Sequence, residues 1–553
     1  MTPVKTPVNS PVPATWTTAT TEAVHTGSWR ASLARHVRDA SPCHQACPVH
    51  GHIADWIAEA AAGRLQAAFE ILARRNPFPA IAGRVCHHPC ETACNRAAWD
   101  QPVSICQLER WVGDAALAHG WTLAAGPARE GHVAVIGAGP AGLSAAWKLR
   151  LRGWRVTVHE RSDAAGGVMR WGIPEYRLPR SVLDGEIARI GALGVDIRCA
   201  SAVDDPATLD ALRRDHDAVL VATGAWRPRR LPLLPPQAPW WLDGARLLER
   251  VQRGQDLGLG RRLVVVGGGS AAMDVARSAL RRGHEVSLLA LEARPALPAH
   301  AEEVDQACAE GVQLVDSAAL VRVEPGAGGL RLHCRRVRPS ASPSPAGAPP
   351  FEAVEGSDFL IEADGLACAI GQDPDVPWLG ALDPAGLLPV DAQGRTALDG
   401  VWAAGDLCSA ARFVTQAVGD GARAAAALHA RLTGEAVEPS ADEGPVVGIE
   451  RIATWYHPRR PRADGPLQQA QQRKGSWIEV QDGLQDSQAQ AEAVRCFSCG
   501  RCTRCDNCLL HCPDLAIKRS GEGYQVLGDY CKGCGLCVRE CPSGAMRMEE
   551  ELR

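Results

Sequence analysis

Apolar residues in the middle of this chain fall into short strand-like runs, each followed by a glycine turn and a small-residue helix. From His132 the segment HVAVIGAGPAGLSAAWKL passes from a β-branched strand through a turn into a helix, and WRVTVHE supplies a second strand ending at Glu160. The order returns at RLVVVGGGSAAMDVARSALRRGHEVSLLALE, from Arg262 to Glu292. Between the two lies the apolar strand of DAVLVATGAWRP, and after them come DGLACAIGQDPD and LDGVWAAGDLCSAARFVTQAVGDGARAA. Strands alternating with helices predict parallel sheets covered on both faces. Upstream, the stretch from Ser41 to Asp114 reads as helical. The first residues, MTPVKTPVNSPVPATWTTATTEA, have no periodicity and predict a disordered tail. PSASPSPAGAPP, from Pro339 to Pro350, predicts a loop between two strands. Residues 436–490 are polar and read as a linker, within which IATWYHPRRPR is compact enough to dock. No stretch approaches the roughly 18 apolar residues of a membrane span.

Length and charge narrow the classes. A chain of 553 residues suggests three or four domains. The net charge of −4 is spread over interspersed acids and bases, so no basic face argues for nucleic acid. Most of the 21 cysteines fall in groups with metal-ligand spacing, which implies a reducing compartment and a cytoplasmic protein. The N-terminus lacks the apolar core of a secretory signal.

The densest chemistry is C-terminal. Cys502, Cys505, Cys508 and Cys512 precede Pro513, and Cys531, Cys534, Cys537 and Cys541 precede Pro542. Each half reads C-x2-C-x2-C-x3-C-P, the two-cluster ferredoxin spacing, in which the fourth cysteine crosses to the other cluster. One [4Fe–4S] cluster is therefore expected on Cys502, Cys505, Cys508 and Cys541, and another on Cys531, Cys534, Cys537 and Cys512. Zinc ribbons also use C-x2-C pairs, but they need four ligands per site rather than two interleaved sets ending in Cys-Pro.

The glycine turns carry a second chemistry. Gly137, Gly139 and Gly142, with Pro140 and Ala141 between them, let backbone approach a pyrophosphate at a helix N-terminus, and Glu160 stands where an acid would hold a ribose hydroxyl. Thr223 and Gly224 close the intervening strand. Gly267, Gly269 and Ala272, with Ser270, repeat the fingerprint, and Glu292 ends the following strand. Two such folds suggest one flavin and one nicotinamide nucleotide.

This order resembles the flavoproteins with two dinucleotide-binding domains. GGVMRWGIPEYRLPR, with Gly166 and Gly167, narrows the resemblance to the small subunit of glutamate synthase and the matching half of dihydropyrimidine dehydrogenase, over roughly residues 30 to 435. The resemblance implies FAD on the first fold, with Gly405 and Asp406 at the ribityl chain, and NAD(P)H on the second, inserted fold. Where that family often carries an Arg-Arg pair for the 2′-phosphate of NADPH, this chain has Leu291 and Glu292, which favours NADH, although Arg294 stands nearby. It also implies an N-terminal cluster on Cys47, Cys86, Cys90 and Glu109, with Cys106 as a substitute ligand or a buried thiol. A further cluster would use Cys43 and Cys94 plus an upstream C-x2-C pair, but those positions hold Arg35 and Arg38. Cys496 and Cys499, in EAVRCFSC, are surplus to the ferredoxin octet and resemble the missing pair, so one cluster is expected on Cys43, Cys94, Cys496 and Cys499. Cys199, Cys308, Cys334, Cys368 and Cys408 are isolated and read as packing residues; His44, His87, His88 and His511 merely neighbour ligands.

The expected chain is thus multidomain α/β: a tail (1–25), a helical iron–sulfur domain (26–125), an FAD-binding Rossmann-like domain (128–235 and 372–435), an NAD(P)-binding one (236–371), a linker (436–490) and a ferredoxin-like 2×[4Fe–4S] domain (491–553). Such a protein passes electrons from NAD(P)H through FAD and [4Fe–4S] clusters to a ferredoxin or a larger redox subunit, within a hetero-oligomeric complex. The alternatives are the electron-input subunit of a glutamate synthase, or a docking and electron-transfer subunit with little activity alone.

Overall fold

The structure is a computed structural model that describes residues 25–326, 328–340, 351–436, 444–521 and 523–551. Most of the expected tail and of the Pro339–Pro350 loop lies outside the described residues. The chain forms two compact units, one made of residues up to Ser41 with Gly444–Arg459 and Phe497 onward, the other of Pro42–Glu443 with Arg460–Cys496.

The larger unit holds two five-stranded sheets. In the first, Val401–Ala403, Ala218–Val221, His132–Ile136, Arg155–His159 and Asp196–Arg198 lie side by side, all parallel. In the second the order is Gln313–Val315, Glu285–Leu289, Arg262–Val266, Gly365–Cys368 and Trp241–Asp243, again parallel. Central strands are buried along their length, as in Ala218–Val221, because helices cover both faces. Each Val or Leu fully buried there contributes about 1.5–3 kcal/mol. A three-stranded antiparallel sheet, Ala318–Gly326, Gly329–Pro339 and Phe351–Ala363, extends the second fold. Arg227–Pro228 pairs with Gln372–Asp373 where the chain leaves and re-enters the first fold.

Ahead of these sheets, the short helices from Ile53–Ala61 to Pro89–Thr92 pack on the longer helix Ile105–His119, and Pro42–Ala46 packs on Pro89–Thr92. Gly83 and Gly113 permit the tightest approach: a Cβ on either would lie 2.3 Å from backbone of the facing helix. The segment Arg460–Cys496, expected mostly as a linker, is instead fastened to this unit. Arg84 Nε donates to Glu479 at 2.8 Å, Trp111 Nε1 donates to Asp486 at 2.8 Å, and Val480 N–H donates to Tyr176 O at 2.9 Å.

The smaller unit contains the hairpin Ile517–Ser520 and Gly523–Val526 and two short helices, Asn507–Leu510 and Leu536–Arg539. Ser32–His36, expected in the helical iron–sulfur domain, is a strand antiparallel to Met546–Glu550. The reason is burial: Leu33 and Ala34 are 4% and 1% exposed, while Arg35 pairs with Glu549. Asp39 then joins Arg451 at 2.7 Å and Arg547 at 3.0 Å.

Candidate functional site

The first glycine turn has no room for side chains. Gly137 adopts φ +104°, and a Cβ there would sit 2.4 Å from Ala222 O; a Cβ on Gly142 would sit 1.9 Å from Gly137 O. Gly139 is different, since the nearest atom to its built Cβ is 3.9 Å away. Its outer face borders a cavity at the N-terminus of the helix Pro140–Leu151, where a pyrophosphate fits. Glu160, Gly167, Thr223, Gly224 and Asp406 line the same cavity. Both Glu160 oxygens accept backbone N–H bonds, from Ala138 and Ser162 at 2.8 Å. Thr223 Oγ1 and Trp171 Nε1 are buried at this cavity without a hydrogen-bond partner among the described residues, so the pocket retains polar atoms for a ligand to satisfy. Burial pushes the Asp406 carboxyl up to about 6, against the pull of Arg412 and with a further push from Asp420. These features fit a flavin dinucleotide.

The second turn repeats the geometry. Gly267 has φ +143° and a Cβ would lie 2.3 Å from Ala369 O, whereas nothing lies within 4 Å of a Cβ on Gly269. Ser270 begins the helix Ser270–Arg281, and Ala272, the third fingerprint position, is fully buried. Glu292 reaches back over this turn: its Oε2 is 2.7 Å from a Cβ built on Gly268. Arg294, the nearby cation, pairs with Asp305 at 2.7 Å, and its backbone N–H donates to Asp316 at 2.8 Å.

The two turns share a cavity. Pro140 and Asp406 from the first fold, Ser270 and Asp274 from the second, Phe413, and Val85 and His87 all line it. Val85 and His87 flank Cys86, so this cavity borders one of the expected cluster ligands. Phe413 packs against the His87 ring at 4.8 Å between centroids.

Around Cys86 the thiols converge. Burial pushes Cys47 up to about 12, with Glu109 and Cys86 adding to the shift, and Cys86 up to about 11, with Glu109 adding. Cys90 is raised by burial and then by Cys47 and Cys86. Thiols whose anionic forms are disfavoured in this way gain them by binding metal. His88 N–H donates to Cys86 Sγ at 3.4 Å. Glu109, on the helix Ile105–His119, accepts from Asn76 Nδ2 at 2.8 Å, and burial pushes it up to about 7. Cys106 is buried, and its thiol donates to Ala82 O at 3.6 Å.

Cys43, Cys94 and Cys496 all border one hydrophobic core in the larger unit. Arg495 brings Cys496 there: it pairs with Asp100 at 3.1 Å, and its carbonyl accepts from Arg96. Arg495 is also close enough to act on the Cys94 thiol, which burial raises. Cys499 belongs to the smaller unit.

In the smaller unit the cysteines of the two stretches act on one another. Burial pushes Cys508 up to about 12, and Cys541, Cys502, Cys505 and Cys537 add to the shift. Cys537 is likewise pushed to about 12 by burial, with Cys531, Cys512 and Cys534 adding. Cys512, Cys531, Cys534 and Cys537 line one cavity. Ala516 N–H donates to Cys512 Sγ at 3.3 Å.

Two dinucleotide folds facing one cavity, beside grouped cysteines, define a flavoprotein oxidoreductase equipped with iron–sulfur clusters. The chain belongs to the pyridine nucleotide-disulphide oxidoreductase family, whose model matches residues 131–421. Residues 31–121 match the 4Fe-4S cluster domain II of dihydropyrimidine dehydrogenase, and residues 501–545 match a 4Fe-4S dicluster domain. The chain is 35% identical over 503 residues to the NADP(+)-dependent formate dehydrogenase subunit beta of Moorella thermoacetica, covering 83% of this chain and 71% of that one. It is 34% identical to the glutamate synthase [NADPH] small chain of Azospirillum brasilense, over 72% of this chain and 88% of that one. It is 33% identical to the NAD-dependent dihydropyrimidine dehydrogenase subunit PreT of Escherichia coli K12, over 71% and 92% of the respective chains. It is an FAD-dependent NAD(P)H oxidoreductase with iron–sulfur clusters. Among the described residues no helix is long and apolar enough to cross a membrane.

The Arg177 contacts described below, and the pairing of the N-terminal strand, had no signal in the sequence pattern. Both join residues distant in the chain, and only their burial marks them.

Proposed function

We propose that this chain is the NADH-oxidising subunit of a cytoplasmic hetero-oligomeric redox complex, carrying FAD and four [4Fe–4S] clusters and delivering electrons to a partner ferredoxin or larger redox subunit. The carrying observation is the cavity lined by both nucleotide folds and by the neighbours of Cys86. When bound, FAD and the clusters supply hydride acceptance and its division into one-electron transfers. The chain's own residues position and insulate. The N-termini of Pro140–Leu151 and Ser270–Arg281 offer backbone N–H groups to the two pyrophosphates. Asp406 holds the ribityl side of the first fold, Gly167 lets backbone pass close beneath Gly139, and Phe413 and Val85 keep the meeting point apolar. Cys47, Cys86, Cys90 and Glu109 hold the adjacent cluster. Cys43, Cys94, Cys496 and Cys499 hold a second, an assignment that rests on the family resemblance of EAVRCFSC to the missing ligand pair. The octet from Cys502 to Cys541 holds two more.

Names of relatives divide between coenzymes: the Moorella and Azospirillum proteins are named for NADP(+) and NADPH, the Escherichia protein for NAD. Glu292 favours NADH here. Its carboxylate over the second turn repels a 2′-phosphate and accepts from a free 2′-hydroxyl, while Arg294 is engaged by Asp305. The test is kcat/KM for both coenzymes with a dye acceptor. NADH is expected to lead at least tenfold, and Glu292→Arg to shift preference towards NADPH, each tenfold step being about 1.4 kcal/mol. A tenfold preference for NADPH in the unaltered protein overturns the coenzyme assignment, and acid release of FMN without FAD overturns the flavin assignment.

A further inference from the structure

Tyr176 and Arg177 sit in the first fold, in the loop between the helices Val168–Trp171 and Arg180–Ala192, yet their side chains engage the second. Arg177 Nη1 donates to Asp274 Oδ2 at 2.7 Å, and Nη2 reaches Glu303 Oε1 at 2.6 Å. Asp274 stands one turn into the helix Ser270–Arg281, whose N-terminus is the second glycine turn. Glu303 lies on the helix Ala301–Glu310 of the same fold. Asp274 is 5% exposed and Glu303 9%, and the guanidinium pairs with both of these nearly buried carboxylates, with His87 3.8 Å from Glu303 and Arg277 also acting on Asp274. Arg177 and Asp274 also line the cavity shared by the two turns.

The neighbouring residue strengthens the joint. Tyr176 is fully buried, with Arg281 over its ring at 3.8 Å and Arg277 at 4.8 Å, both from the helix Ser270–Arg281. Those two arginines share Glu310 at 2.6 Å each, and Arg473 of the C-terminal segment joins them at 3.2 Å. The joint thus uses charges that cannot be left unpaired without a large desolvation cost.

We infer that Arg177 is a positioning residue that latches the nicotinamide-binding fold to the flavin-binding fold, setting the approach of dihydronicotinamide C4 to flavin N5. This deepens the proposed function and rests on it. Hydride transfer oxidises the C4–H carbon and reduces the flavin, with both electrons moving as the hydride. It demands reacting atoms held roughly 3–3.5 Å apart, so a small change in the angle between the folds costs rate rather than affinity. Arg177 acts through Asp274 and the helix that carries the second turn.

The test compares the holoprotein with Arg177→Met, Arg177→Lys and the triple variant Arg177→Met, Asp274→Asn, Glu303→Gln. Steady-state rates with NADH and a dye are measured beside flavin content, NAD+ affinity by calorimetry and amide hydrogen exchange. For Arg177→Met the inference expects full flavin content, NAD+ affinity within about threefold of the parent, and kcat at least tenfold lower. It also expects faster exchange confined to residues 174–178 and 270–275. Arg177→Lys should recover part of kcat, because an ammonium can serve one carboxylate but lacks the fork that serves two. The triple variant, which removes the unpaired charges, should regain thermal stability without regaining kcat. The inference is overturned if Arg177→Met keeps kcat within twofold, if only KM rises, or if the triple variant recovers kcat together with stability. If Arg177→Met does not accumulate, the triple variant and Arg177→Lys decide by the same kcat criterion. Were the parent holoprotein not to oxidise NADH at all, the proposed function would fail, while localised exchange would still report the latch.

Discussion

The C-terminal octet takes its thiols from two short stretches, Cys502–Cys512 and Cys531–Cys541, each giving three neighbouring ligands to one cluster and its fourth cysteine to the other in the interleaved assignment. The N-terminal set takes them from separate helix ends: Cys47 just beyond Pro42–Ala46, Cys86 capping Pro79–Val85, Cys90 within Pro89–Thr92, and Glu109 on a longer helix. In the first region local backbone geometry holds the ligands in place. In the second their arrangement depends on helix packing, and so on contacts such as Gly83 against Arg110 and Gly113 against Ala80. The contrast teaches that the octet's ligands are set mainly by spacing within two short stretches, with Ala34 of the N-terminal strand packed beside them, while the N-terminal set is only as good as its helix packing.

The largest effect that can break this comparison comes from the octet. Cys541→Ser should remove the same cluster as Cys502→Ser, and Cys512→Ser the same one as Cys531→Ser, each losing about four of about sixteen irons. Reduction of the physiological acceptor should fall more than tenfold in all four variants, with NADH–dye activity kept near the parent. Anaerobic iron counts and low-temperature electron paramagnetic resonance read the pairing. If Cys541→Ser and Cys531→Ser lose the same signal, the interleaved assignment is wrong and each stretch holds its own cluster.

A smaller effect sharpens the other side. Replacing Cys496 and Cys499 with Ser should lose about four irons and leave the octet signals intact, and replacing Cys43 and Cys94 with Ser should lose the same species. Different species lost by the two double variants, or no iron lost by either, would sink the proposed set. Residues 436–490 read as a linker because polar composition does not distinguish a paired buried charge from a free one. In the fold Arg473, Glu492 and Arg495 are each under 5% exposed, and each is paired. Both glycine turns and the octet were legible because their chemistry fixes residue types at short spacing. The strand Ser32–His36 and the Arg177 latch were not, since their partners lie hundreds or about a hundred positions away.

The smallest effect distinguishes Glu109 from Cys106 as the fourth ligand beside Cys47, Cys86 and Cys90. Both stand near Cys86: Glu109 acts on the Cys47 and Cys86 thiols, and Cys86 acts on the Cys106 thiol. Their surroundings differ. Cys106 already donates to Ala82 O and lies in the apolar face of its helix, an ordinary place for a buried thiol. Glu109 is a half-buried carboxylate with one neutral donor, Asn76, and thiols close enough to act on, an arrangement that is costly unless a cation compensates it. Cys106→Ser should therefore keep the full iron count, because the hydroxyl can take over the bond to Ala82 O, at a stability cost of about 1 kcal/mol. Glu109→Gln should keep the fold and the other clusters, but shift the reduction potential of this one cluster or make it labile to chelator. A Glu109→Gln protein whose cluster is unchanged in potential and in chelator resistance, alongside iron loss in Cys106→Ser, would reverse the assignment. It would also make the N-terminal set an all-thiolate site like those of the octet.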